Sequence, residues 1–353
     1  MTARLTGREL GLLVGIAVLT LVTGVLEYSG ADQVAVFIVA AGALAGLAWV
    51  VSFATEAVGE RFGPALTGVL QSTLGNLPEL FVVLFALAAG ELVVAQYSIL
   101  GSLFANALLI LGLVIVAGAR VSADGCFRFK RRLPNDTATL LLLATFIIVL
   151  LGLSNSAGDR ASQHQVAISA IGAVVLLLVY GAWLSFYLRT SSGEHRREAL
   201  VRIPLPVAIG LLAVSGVAAA FVADWFVGAL DPAVEALGIS KEFTGLVIVG
   251  IAGNAVENVV GITLAAKGQS DLAVSVVKNS VAQIAVFLFP LLVILSLAFT
   301  THLTFVLPGL YVGALFLMAI AVWQVTGDGE AAAFEGLALI GLYTILAVIT
   351  WYE

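Results

Sequence analysis

Two short stretches decide how this chain folds: GNLPEL at residues 75–80 and GNAVEN at residues 253–258. Each lies inside a long apolar run, and each places an Asn and a Glu three positions apart. The spacing from Asn76 to Asn254 is also the spacing from Glu79 to Glu257. It also relates Ser102, in the next apolar run, to Ser280. An ungapped offset held across two consecutive apolar runs marks an internal repeat.

Working outward, the chain has 353 residues, 61% of them hydrophobic and only 11% charged. Soluble domains carry about 45–50% apolar and about 25% charged residues. A membrane helix needs about 20 apolar residues, so this composition excludes a soluble enzyme, a disordered chain and a disulfide-stapled secreted domain. Long apolar runs also disfavour a membrane β-barrel, which reads as short alternating segments. The runs predict an all-α membrane protein with eleven spans: 10–27, 33–54, 64–89, 93–117, 137–153, 165–188, 204–226, 242–266, 271–297, 303–325 and 332–351. The first span has no convincing cleavage site and reads as a retained helix.

Cytoplasmic loops are enriched in Lys and Arg. With the N-terminus inside, 13 basic residues fall on the inner side and only Arg160 and Lys241 outside; the sixteenth, Lys278, lies within a span. The odd span count puts the C-terminus outside. The two motifs sit five spans apart, so the repeats are inverted across the bilayer. The expected organisation is a leading helix (1–32), a first repeat (33–190), a cytoplasmic linker (191–203) and a second repeat (204–353): one helix plus two inverted five-helix repeats. Inverted repeats are a signature of secondary transporters, whose sites lie near the midplane at the repeat interface.

The polar residues inside the spans have the pattern of a cation site. Glu79 and Glu257 each lie about 15 residues, roughly 20 Å, into their spans. A charge at that depth is costly and faces a bundle interior or a watery cavity. Gly75, Pro78 and Gly253 weaken the helix beside each motif, and carbonyls freed at such breaks can coordinate cations. Asn76 shares a helix face with Glu79, and Asn254 with Glu257; Ser72 lies one turn before Asn76. In the following spans Ser102 pairs with Asn106 and Ser280 with Gln283 at helical spacing. Interhelical hydrogen bonding is the bland account of these hydroxyls and amides; their matched positions favour a site. Oxygen-only ligands suit hard cations such as Ca2+, whereas zinc or copper would call on His or Cys. His164, His195 and His302 lie in loops or span ends, and Cys126 lies in a loop. Glu79 and Glu257 are therefore the expected metal ligands. Two carboxylates neutralise one divalent ion, and an emptied pair of buried like charges takes up protons.

At these residues the sequence resembles the calcium/proton exchangers of the calcium/cation antiporter superfamily. The resemblance covers FATEAVGERFGPALTGVLQSTLGNLPEL (53–80) and the block 237–294. It implies one plus five plus five helices, alternating access, Glu79 and Glu257 as the centre of cation and proton binding, and Asn76, Asn254, Ser102, Ser280, Asn106 and Gln283 lining the site. It also implies Ca2+ export in exchange for H+, no cofactor, and a multi-pass protein of a prokaryotic cell membrane. Its partners would be the lipid bilayer and the transported ions, with no nucleic acid; a homo-oligomer is compatible with it. Glu56 matches a recurrent acidic position. The chain departs from the family at Asn258, where His is usual, at Gly250, where Pro is usual, and at Lys278-Asn279, where an apolar residue and Gly are usual. Asn258, Lys278, Glu56 and Ser72 are thus expected modulators. The favoured placement of Lys278 is with its ammonium snorkelling to the cytoplasmic surface; the alternative sets it among the carboxylates, lowering the charge of the site.

Sodium uses the same oxygen ligands, so Na+-coupled calcium exchange or Na+/H+ antiport on the same scaffold is the alternative. A channel filter would normally be a ring of identical elements from an oligomer, unlike an inverted repeat in one chain. A zinc protease would need HExxH, which is absent, and no His lies deep enough for a serine protease.

Overall fold

The computed structural model describes residues 6–59, 74–130, 132–191 and 203–353, and over these the chain is helical apart from one short two-stranded ribbon. In chain order the helices are α1 (Gly7–Tyr28), α2 (Gln33–Gly59), α3 (Leu77–Ala88), α4 (Leu92–Val121), α5 (Arg132–Ala157), α6 (Gln165–Ser191) and α7 (Leu205–Gly228). They continue with α8 (Leu230–Leu237), α9 (Lys241–Gly253), α10 (Ala255–Ala266), α11 (Ser270–Ser296), α12 (Gly309–Thr326) and α13 (Ala333–Trp351). Strands β1 (Cys126–Arg128) and β2 (Glu330–Ala332) pair antiparallel, with Phe127 opposite Ala331. Helices dominate because lipid offers the backbone no hydrogen bonds, so each span must satisfy its own.

Among the described residues nine helices are long and apolar enough to span a bilayer, and each matches one of the predicted spans. The two remaining predicted spans, 64–89 and 242–266, are those that carry the motifs. Of 64–89, the described part breaks at a turn over Gly75 and Asn76 before α3. Span 242–266 is two helices, α9 and α10, separated at Asn254. The breaks match in detail: Asn76 has φ −93° and ψ 15°, and Asn254 has φ −102° and ψ 17°. Helices α3 and α10 begin and end at positions related by the same spacing that relates the two motifs. The turns that follow use Gly90 and Gly268, both at positive φ. The repeat is thus written into the backbone as well as the sequence.

Other segments depart from expectation. Residues 303–308 are extended rather than helical, and α12 begins only after Pro308. Leu303, Phe305 and Leu307 are buried at alternate positions, so an apolar run that suits a span also suits an extended strap. Its backbone is satisfied by side chains: Phe305 N–H donates to Ser169 Oγ (3.1 Å), and Gln96 Nε2 donates to the Val306 carbonyl (3.1 Å). The short helix α8 replaces part of an expected loop and ends at Gly238, in the left-handed region. Wider π-helical turns occur at Ala105–Ile110, Thr244–Val249 and Ile284–Leu288.

The chain divides into two compact units, residues 1–89 with 181–239, and residues 90–180 with 240–353. In the first, α2 lies along α7, with Phe37 stacked on Phe226 (4.8 Å between centroids), and α3 packs on α7. Small residues bring these helices together, Gly24 lying against the Trp225 ring; apolar lipid gives little hydrophobic drive, so close van der Waals packing holds membrane helices. The second unit is built around α4, of whose apolar window 89% is buried. Around α4 pack α9, α13 and the α10–α11 hairpin, with α5 against α12.

The ends of the second unit's helices sort into two groups. At one end β1 and β2 pair, Phe129 N–H donates to the Gly329 carbonyl (2.8 Å), and Lys130 N–H donates to Asp271 Oδ1 (2.7 Å). At the other end Lys241 meets Glu91 (2.7 Å), and Tyr311 donates to Glu353 (2.7 Å). These groups are the loops expected inside and outside, respectively.

Candidate cation site

The structure places the motif residues in both units. In the first, Pro78 and Glu79 begin α3 directly after the break, and proline suits the first turn because its missing N–H has no helical partner there. Asn76 stands at the N-terminal boundary of this helix, makes no side-chain capping bond to it, and is 5% exposed; Glu79 is 3% exposed. Ser72 lies outside the described residues. Glu56, on α2, is solvent-exposed.

In the second unit the pieces come together around an unusual helix crossing. Helices α4 and α9 touch backbone to backbone: a Cβ on Gly250 would lie 2.5 Å from the Gly101 carbonyl carbon, and one on Gly101 would collide with the Leu246 carbonyl oxygen. The Gly at 250 that departs from the family pattern is therefore what allows the approach. The crossing carries Ser102 and Asn106 to the break in the second motif. Asn106 Nδ2 donates to Asn254 Oδ1 at 2.6 Å and to the Ser102 carbonyl at 3.0 Å. Asn254 Nδ2 donates to the Gly250 carbonyl at 2.9 Å. That carbonyl is one the break frees, because the Asn254 N–H turns to Ala252 instead. The asparagine side chain thus repairs the interruption it sits in.

This chain of amides engages the Nδ2 of both asparagines but leaves acceptors open. Asn106, fully buried, keeps Oδ1 without a hydrogen-bond partner, and so does the hydroxyl oxygen of Ser280 on α11. Buried polar atoms are nearly always paired, so open oxygens next to a repaired break suit a ligand that accepts electron pairs, a hard cation. Glu257 lies on α10, one turn beyond Asn254; its side chain lies outside the described residues. Ser102 is buried and Gln283 half-buried at the last turn before a π-helical segment.

Lys278 does not reach the surface as expected. It is 2% exposed, and its ammonium donates to Thr326 Oγ1 at 3.0 Å, while the Thr326 hydroxyl donates to the Val322 carbonyl at 2.6 Å. The side chain heads for the end of α12 that carries β2, the direction snorkelling would take, but packing stops it short. The last turn of a helix, with its negative dipole end, is a favourable place for a buried cation. Sequence reasoning missed Thr326, Gly101 as a contact residue, and the π-helical turns. Only Gly101 had a visible signal, a small residue beside Ser102.

With this geometry in view, the chain was compared with known proteins. The family described as sodium/calcium exchanger protein matches residues 33–189 and 207–352. The vacuolar calcium ion transporter of Schizosaccharomyces pombe is 36% identical over 94% of this chain and 82% of its own length. The Ca(2+)/H(+) antiporter ChaA of Bacillus subtilis is 31% identical, over 94% of this chain and 95% of its own. The solved structure of native YfkE superposes with a TM-score of 0.82 at 26% identity, covering 97% of this chain and 100% of that one. The chain is therefore a multi-pass membrane protein of the sodium/calcium exchanger family, a family of transporters, and resembles calcium/proton antiporters within it.

Proposed function

We propose that this protein is a secondary active antiporter that moves Ca2+ out of the cytoplasm in exchange for H+, by alternating access to a midplane site centred on Glu79 and Glu257. The observation that carries this is the pair of matched breaks. Two broken spans, equivalent under the repeat, share one backbone geometry, and each begins its second half with a glutamate in the first turn. Asn76, Asn254, Ser102, Asn106, Ser280 and Gln283 supply neutral oxygens around the two carboxylates. Bound Ca2+ neutralises the carboxylates; once it leaves, two buried like charges cannot both stay ionised, so protons replace it. Each carboxylate thus serves both ions, which couples their movement. The eleven-span arrangement, one leading helix (1–32) and two inverted five-helix repeats (33–190 and 204–353) joined by residues 191–203, fits the motif positions. The grouping of loops at the two ends of the second unit supports the parity of the spans. On this reading the N-terminus is cytoplasmic and the C-terminus outside, in the cell membrane of a prokaryote, as the distribution of Lys and Arg supports.

Sodium as the driving ion is disfavoured, because the B. subtilis relative is named for calcium and protons. Purified protein in proteoliposomes with an imposed pH gradient tests the proposal. Ca2+ flux driven by the gradient without sodium is expected, and Glu79→Gln or Glu257→Gln should abolish it while the protein remains folded. Flux that needs sodium, or exchange that survives either substitution, overturns it.

A further inference from the structure

The α10–α11 hairpin carries polar groups that its counterpart in the first repeat lacks. The two helices are joined by a three-residue turn over residues 267–269, and their register is fixed where a Cβ on Gly261 would lie 3.0 Å from Val277 Cγ2. Counting away from the turn, Glu257 and Asn258 on α10 lie level with Asn279 and Ser280 on α11, to within a residue's rise of about 1.5 Å. Asn258 is 8% exposed, and its Nδ2 reaches back across the break to the Ile251 carbonyl at 3.4 Å. Asn279 Nδ2 donates to Ser275 Oγ at 3.5 Å. In both residues the amide nitrogen is engaged while the buried Oδ1 has no hydrogen-bond partner, and Ser280 Oγ, at the same level, has none either.

The fold does not require polar groups here. At the positions equivalent under the repeat, the first repeat has Leu80 and Gly101 where the second has Asn258 and Asn279. Leaving buried polar oxygens unpaired is destabilising, so two amide carbonyl oxygens and one hydroxyl oxygen in one layer, level with Glu257, call for a ligand.

We propose that Asn258 and Asn279 are specificity-determining ligands of the transported divalent cation, their Oδ1 atoms adding two neutral oxygens to the second-repeat side of the site. This rests on the antiporter function proposed above. Hard divalent ions take six to eight oxygens, and a carboxamide oxygen binds them without ever carrying a proton. The two residues therefore strengthen cation binding and leave the proton side of the exchange unchanged.

The test is Ca2+/H+ exchange in proteoliposomes for Asn258→Leu and Asn279→Gly, singly and together, each importing a feature of the first repeat. Each should raise the KM for Ca2+ by about three- to tenfold, and the double variant by more, a loss of order one ligand contact per residue. Vmax and the dependence on proton concentration should stay within about twofold of the unsubstituted protein. An unchanged KM, or a lowered Vmax at unchanged KM, overturns the assignment and leaves the amides a packing role. If either variant does not fold, Asn258→Asp and Asn279→Asp decide the matter. They retain the oxygen and add charge, so a KM at or below that of the unsubstituted protein supports ligation and a raised KM refutes it. Failure of the unsubstituted protein to exchange Ca2+ for H+ would instead strike the antiporter function itself.

Discussion

Replacing Thr326 by Val tests how the second unit tolerates a buried ammonium. Lys278 and Thr326 are 2% and 1% exposed, and the Thr326 hydroxyl accepts from Nζ at 3.0 Å while giving its own proton to Val322. Valine keeps the shape and removes that acceptor. A hydrogen bond to a charged group contributes about 1.5–3 kcal/mol, so Thr326→Val should cost about 2 kcal/mol. In a Lys278→Met background no ammonium needs the oxygen, and replacing a buried charge by an apolar side chain is commonly neutral or stabilising. There the same Thr→Val change should cost under about 1 kcal/mol, giving a coupling energy of at least about 1 kcal/mol in a double-mutant cycle. Denaturant or thermal unfolding of the four proteins in one detergent measures it. Equal costs of Thr326→Val in the two backgrounds would refute the hydrogen bond as the support of Lys278.

The same geometry commits the ammonium to the end of α12, so Lys278→Leu should change Ca2+ affinity in flux assays by less than about threefold; a tenfold gain would show that the charge acts on the site. Gly250→Ala should be poorly tolerated, costing about 1–3 kcal/mol or more, because both sides of the clash with Gly101 are backbone. Gly210→Ala, where a Cβ meets nothing within 4 Å, serves as the control, and equal melting temperatures for the two variants would contradict the crossing. Arg128→Ala removes exposed contacts to Asp124 (2.6 Å) and Glu330 (3.2 Å) and should leave the melting temperature nearly unchanged, since exposed pairs contribute little; a clear drop in melting temperature would make the ribbon a structural clamp. Apparent Ca2+ affinity should fall as the pH is lowered, because protons compete for the motif carboxylates; affinity flat between about pH 5 and 8 would point to separate sites.

The sequence alone determined what depends on solvation and local bonding. Long apolar runs must become helices in lipid wherever they lie in the chain, so nine of the predicted spans stand among the described residues. The breaks at Asn76 and Asn254 were legible too, because Gly and Pro weaken a helix through their own geometry. The constant spacing between the repeats already named the residues of both motifs, and the backbone follows it to the residue in α3 and α10. Tertiary structure decided everything that depends on a partner distant in sequence. Gly250 read as an anomaly until the structure set Gly101, from the other half of the chain, against its backbone. Residues 303–308 are apolar enough for a helix, but Ser169 and Gln96 satisfy their backbone in an extended strap. Lys278 has a stem long enough to reach water, yet where its ammonium stops was fixed by Thr326 on another helix. An apolar run carries its own reason to be a helix, whereas the destination of a polar atom is set by the nearest group able to satisfy it, and only the folded chain brings that group near.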